Sequence, residues 1–72
     1  MFGSAVQAGL AAVAGEPLRE SAHRILIEAY LAEGNVAEAI RQYASYRHTL
    51  YDELGVEPSP AMSSLMGRLK TA

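Results

Sequence analysis

The sequence predicts an all-α fold in which helices double back on one another. Alanine, leucine and glutamate are its commonest residues. No window alternates apolar and polar residues for long enough to make a strand, and the prolines Pro17, Pro58 and Pro60 fall where apolar stripes break off. Four helices follow from the punctuation.

Ser4 with Gln7 three residues later has the form of a capping box, and the alanine-rich run that follows stops at Gly15. This predicts a first helix over about Ser4 to Ala14. Pro17 suits the first turn of a second helix, and Glu16 and Glu20 put negative charge near its positive end. Leu18, Ala22, Ile25, Leu26 and Ala29 form its expected buried stripe, which Ile27 and Leu31 widen. Apolar residues on more than one side place this helix between two neighbours, and Gly34 ends it. Asn35 with Glu38 repeats the capping signal. Val36, Ala39, Ile40, Tyr43, Tyr46 or Arg47, Leu50 and Leu54 then continue at helical spacing to Gly55. Val56-Glu57-Pro58 reads as an extended link, because a residue before proline is pushed out of the α region. Ser59-Pro60 supplies a cap and a first-turn proline for a last helix over about Pro60 to Lys70, with Met62, Leu65, Met66 and Leu69 as its stripe. The hinge at Gly34 is so short that the second and third helices must fold back as an antiparallel hairpin.

Size and charge narrow the function. Seventy-two residues make one small domain or a piece of one. Without cysteine there is no disulfide framework and no thiolate zinc site, and a reducing cytoplasm is permitted. A net charge of −2 argues against direct binding of nucleic acid by this segment, since phosphate-gripping domains carry a basic patch. Charge or glycine breaks the apolar stretches well short of the ~20 residues that cross a bilayer, so no membrane partner is expected. The start shows no export signal.

Laid on a period of about 34 residues, Leu26, Tyr30, Gly34, Ala39, Ile40 and Tyr43 fall where a tetratricopeptide repeat keeps its packing positions. His23 stands for the usual tryptophan, Ile27 for the small residue and Tyr51 for the closing proline. Ala5, Ala12 and Pro17 match the second helix of a preceding repeat. The fold class is thus tetratricopeptide-like helical hairpins, about one and a half repeats, plus a closing C-terminal helix. Small residues at Ala5, Gly9, Ala12 and Ala39 let helix axes approach closely, with Tyr30, Ile40 and Tyr43 beside them.

A second resemblance runs from about Ala5 to Leu69. Gly15-Glu16-Pro17-Leu18-Arg19-Glu20, then Leu31-Ala32-Glu33-Gly34-Asn35 with Ala37-Glu38-Ala39, and above all Asp52-Glu53-Leu54-Gly55-Val56-Glu57-Pro58-Ser59-Pro60, resemble the bacterial transcriptional activator domain of SARP-type regulators, the Streptomyces antibiotic regulatory protein class. In that family the domain is a bundle of tetratricopeptide-like helices that follows a winged-helix DNA-binding domain of the OmpR type. The resemblance implies that residues 1–72 are the C-terminal part of such a domain. Its implied role is contact with a sister subunit, other domains or the transcription machinery, in the cytoplasm. A generic repeat scaffold unrelated to transcription is the alternative reading.

No residues assemble a catalytic or cofactor site. His23 sits at a packing position, and His48 with Asp52, one turn on, reads as an exposed ion pair; no nucleophile or phosphate loop accompanies them. Metal ligation would need three or four convergent groups. No catalytic residue, cofactor or metal is expected. Interface residues are. Val6, Leu10 and Val13 are spaced to form an apolar stripe on the first helix, which an upstream helix would cover in a longer stack. That stripe is expected to self-associate. Tyr46, Arg47 and Tyr51 are expected to face a partner, and the other tyrosines to pack in the core.

Overall fold

The structure, a computed structural model, describes the backbone of residues 2–71 and the side chains of residues 4–69. Four helices fill it: α1 (Phe2–Gly15), α2 (Glu20–Ala32), α3 (Val36–Leu54) and α4 (Pro60–Thr71), with no strand among the described residues. The side chain of Lys70, the expected end of the last helix, lies outside the described ones.

Two helix starts differ from the sequence reading. α1 is already helical at Phe2, so Ser4 lies inside it and does not cap it. α2 begins at Glu20, later than the proline signal. Pro17 is the second residue of a four-residue turn, closed by the Arg19 N–H donating to the Glu16 carbonyl at 3.1 Å. Proline's fixed φ suits that position as well as it suits a helix start. Arg19, in extended conformation, precedes α2 without a side-chain cap.

The hairpin turn is compact. Gly34 has φ 77, the Gly34 N–H donates to the Leu31 carbonyl at 3.0 Å and the Asn35 N–H to the Tyr30 carbonyl at 2.8 Å. These two bonds close α2 with a Schellman motif. Asn35 then caps α3, its side-chain oxygen accepting from the Glu38 N–H at 3.3 Å. Only half of the capping box forms, because the Glu38 carboxylate bonds Arg41 instead. α3 ends at Gly55, φ 68, and Ser59 caps α4 by accepting from the Met62 N–H at 3.4 Å.

α2 is the middle layer, packed on α1 on one side and α3 on the other. In the α1/α2 seam, Gly9 is buried so closely that a Cβ there would lie 2.9 Å from the Leu26 Cα. Ala22, Leu26 and Ala29 are buried on α2. The second core joins Ile27, Ala39, Tyr46, Leu50, Met62 and Met66, so α4 packs back onto the hairpin. Ile25 and Ile40, expected inside, are about half exposed, and Leu18 is exposed as well. Each isoleucine lies 100° round the helix from an apolar neighbour that takes the inward position, Leu26 in one case and Ala39 in the other.

The glycines of α1 and α4 are expected to respond in opposite ways. Gly9→Ala should be destabilised by about 1–2 kcal/mol, because overpacking of the seam outweighs the ~1 kcal/mol gain in helix propensity. Gly67→Ala meets nothing within 4 Å and should gain up to that ~1 kcal/mol. Urea unfolding followed by circular dichroism checks both signs. Ala39, fully buried, should lose about 1–3 kcal/mol on change to leucine, and an unchanged melting temperature would mean that the register is wrong.

Candidate interaction surfaces

One carboxylate ties three helices together. Glu20, the first residue of α2, accepts from the Tyr46 hydroxyl of α3 at 3.0 Å and from the Ser59 N–H at 3.0 Å, both through Oε1. Its Oε2 accepts from the Ser59 hydroxyl. Burial alone would raise the Glu20 pKa. The two bonds from Ser59, the one from Tyr46 and the nearby Arg24 charge outweigh it together, and the pKa falls below the ordinary 4.5. Tyr46 shifts the other way, to about 12, because it is buried and hydrogen-bonded to the Glu20 carboxylate.

Beside this clamp lies His23, buried as its packing position implies. Its Nε2 donates to the Pro17 carbonyl at 2.7 Å, and its Nδ1 accepts from the Gln42 amide at 3.0 Å. The ring lies 4.2 Å from that of Tyr46. With both nitrogens engaged, His23 links the Pro17 turn to α3. No group of three histidine, aspartate or glutamate side chains converges for a metal among the described residues. His48 and Asp52 form no ion pair.

The expected interface residues divide. Tyr46 is only 2% exposed, so it is a core residue and not a partner-facing one. It occupies the inward alternative of the Tyr46/Arg47 pair. Arg47 and Tyr51 do reach the surface, where they line a shallow groove with His48 and Glu57. Arg47 Nε donates to Glu57 at 2.7 Å, which returns the link after α3 along the helix's outer side. Tyr51 belongs to a longer row on that side: Val36, Ile40, Tyr51 and Leu54 are all exposed and lie within a narrow arc of the α3 wheel. On α1, Val6 and Val13 are half-buried, flanking Gly9 at helical spacing, while Leu10 is 47% exposed. α1 carries no charged residue.

Comparison with known proteins then decides the family. The family model described as bacterial transcriptional activator domain matches residues 2–70. The chain belongs to that family. It is 42% identical over 62 residues to the "Regulatory protein AfsR" of Streptomyces coelicolor and 40% identical over 62 residues to that of Streptomyces griseus. In each case 86% of the chain is covered but 6% of the relative, so the chain spans a small part of the length of these regulators. No solved structure matches.

The strongest family string, Asp52 to Pro60, has visible structural duties in this activator domain. Gly55 takes the left-handed turn, Glu57 holds Arg47, Pro58 is buried, and Ser59 both caps α4 and bonds Glu20. Glu20 itself reads in sequence only as a favourable charge at a helix start. Its partners lie 26 and 39 residues away, and no local pattern marks them.

A carboxylate whose pKa is lowered on folding stabilises the fold above its unfolded value, and that contribution disappears as pH falls through the folded value. Glu20→Gln should therefore melt below the wild type near neutral pH. The gap should close progressively as the solution is acidified below about 4.5, the ordinary value for this group. Thermal melts of the two proteins across that range provide the check.

Proposed function

We propose that this segment is a non-catalytic protein-interaction part of a SARP-type transcriptional regulator, working in the cytoplasm by self-association and by contacts with other domains or the transcription machinery. The family membership supports the regulatory half of this reading. The binding half rests chiefly on one observation: the long helices leave apolar rows uncovered while the polar residues that chemistry would need are engaged in packing. His23, Glu20 and Tyr46 hold helices together.

Self-association is assigned to α1. Its outer side is alanine with Leu10 and no charge, so two copies can pack there without burying an ion. Val6 and Val13, half-buried, border the same helix face beside Gly9. The second surface is the outer side of α3, with Arg47 and Tyr51, which serves contacts with other proteins. DNA recognition is assigned to a separate domain of the regulator, because this segment carries a net charge of −2.

Sedimentation at several concentrations tests the proposal. The wild type is expected to show a mass that rises with concentration, and Leu10→Glu to remain monomeric with its helix content intact. A wild type that stays monomeric throughout, with a cooperative melt, would refute self-association through α1.

A further inference from the structure

One buried titratable side chain takes no part in the two surfaces assigned to partners. His23 is 3% exposed, and both of its ring nitrogens are engaged. The Pro17 carbonyl, 2.7 Å from Nε2, can only accept, so Nε2 carries a proton in every state of the ring. The second nitrogen is different. Nδ1 faces the Gln42 side-chain amide of α3 at 3.0 Å, and a primary amide has a donor end and an acceptor end of nearly the same shape.

This contact therefore has two complete arrangements. With a neutral ring, the Gln42 NH2 donates to Nδ1. When the ring takes up a proton, Nδ1 becomes a donor, and a half turn of the amide brings the Gln42 oxygen round to accept from it. That oxygen is not held elsewhere: Gln42 is half-buried, and the oxygen has no hydrogen-bond partner among the described residues yet is not sealed from water. The surroundings suit a charged ring. Tyr46 of α3 stacks on it at 4.2 Å, and Glu20, one turn earlier on α2, holds the hydroxyl of that same tyrosine. In the turn before α2, Glu16 and Arg19 neutralise each other, as do Glu38 and Arg41 on α3. Arg24 is exposed and its charge acts on Glu20, and α1 brings no charge.

We propose that His23 and Gln42 form a proton-operated switch, in which the ring changes charge without leaving the core and the Gln42 amide reverses to follow it. The reversal is felt outside. The free end of the amide presents an oxygen when the ring is neutral and an N–H when it is charged. A partner group that meets α3 at Gln42 thus finds an acceptor in one state and a donor in the other. Gln42 lies away from Leu10 and from the outer row of α3, so the switch does not depend on either surface.

The test is nitrogen NMR of the His23 ring and the Gln42 side chain in the uniformly labelled chain, titrated across the ordinary imidazole value of about 6.5. Glu20 stays ionised over that range, since its pKa lies below 4.5. Nε2 is expected to stay protonated throughout. Nδ1 is expected to move from the unprotonated to the protonated range while the backbone amides keep their folded dispersion, and the Gln42 NH2 signals to shift with the same midpoint. Two variants read the same contact in thermal melts. Gln42→Met leaves a charged Nδ1–H without an acceptor, so its deficit against the wild type should widen as pH falls through that range. Gln42→Glu sets a carboxylate against the lone pair of a neutral ring, so its deficit should shrink over the same range. His48, exposed on α3, is common to all three proteins. A ring that stays neutral until the chain unfolds, Gln42 signals that ignore the ring's titration, or melting gaps that do not change with pH would each overturn the proposal.

Discussion

The arrangement of this domain depends on where one carboxylate spends its hydrogen bonds. Glu20 opens α2, yet it accepts from α3 through Tyr46 and from the start of α4 through Ser59. Two of the three donors come from the residue that also caps α4, so the cap and the clamp are one structure. A charged acceptor makes such bonds stronger than neutral ones. α4, capped by the residue that Glu20 holds, lays one side onto the hairpin. Met62 and Met66 enter the core, and the outer row of α3 stays open. The surface assigned to partners is thus the side of α3 that the last helix leaves uncovered.

The seams between helices follow a simpler rule. Gly9 brings α1 against Leu26 at a distance no side chain would permit, and Ala39 plays the same part where α2 meets α3. Thin seams leave little room for error in register, which is why the large residues sort so sharply. Leu26 and Ile27 are fully buried while their neighbour Ile25 is about half exposed. Proteins that bind through stacked helices need this rigidity, because a binding row is useful only if its spacing is fixed.

Much of the fold was legible along the chain because its turns are local. Gly34 with Asn35, Gly55, and Ser59 with Pro60 each act within a few residues, and each ends or starts a helix where the pattern places it. Pro17 misled because proline favours a turn as readily as a helix start. Tyr46 and Arg47 were indistinguishable to periodicity: adjacent positions on a long helix differ by 100°, and which one turns inward is decided by the neighbours Glu20 and His23. Val6, Leu10 and Val13 share a helix face in sequence, but only Leu10 remains substantially open once α2 packs beside Gly9. The Glu20 clamp was invisible for a different reason, since it joins residues far apart in the chain and all of its members have ordinary local explanations.

Hydrogen exchange in Glu20→Ala, compared with the wild type, tests the central claim most directly. If the carboxylate anchors the last helix, amides of α4 and of the 56–59 link should lose protection while those of the α1/α2 seam keep theirs. Protection lost evenly across all four helices, or retained in α4, would contradict the account.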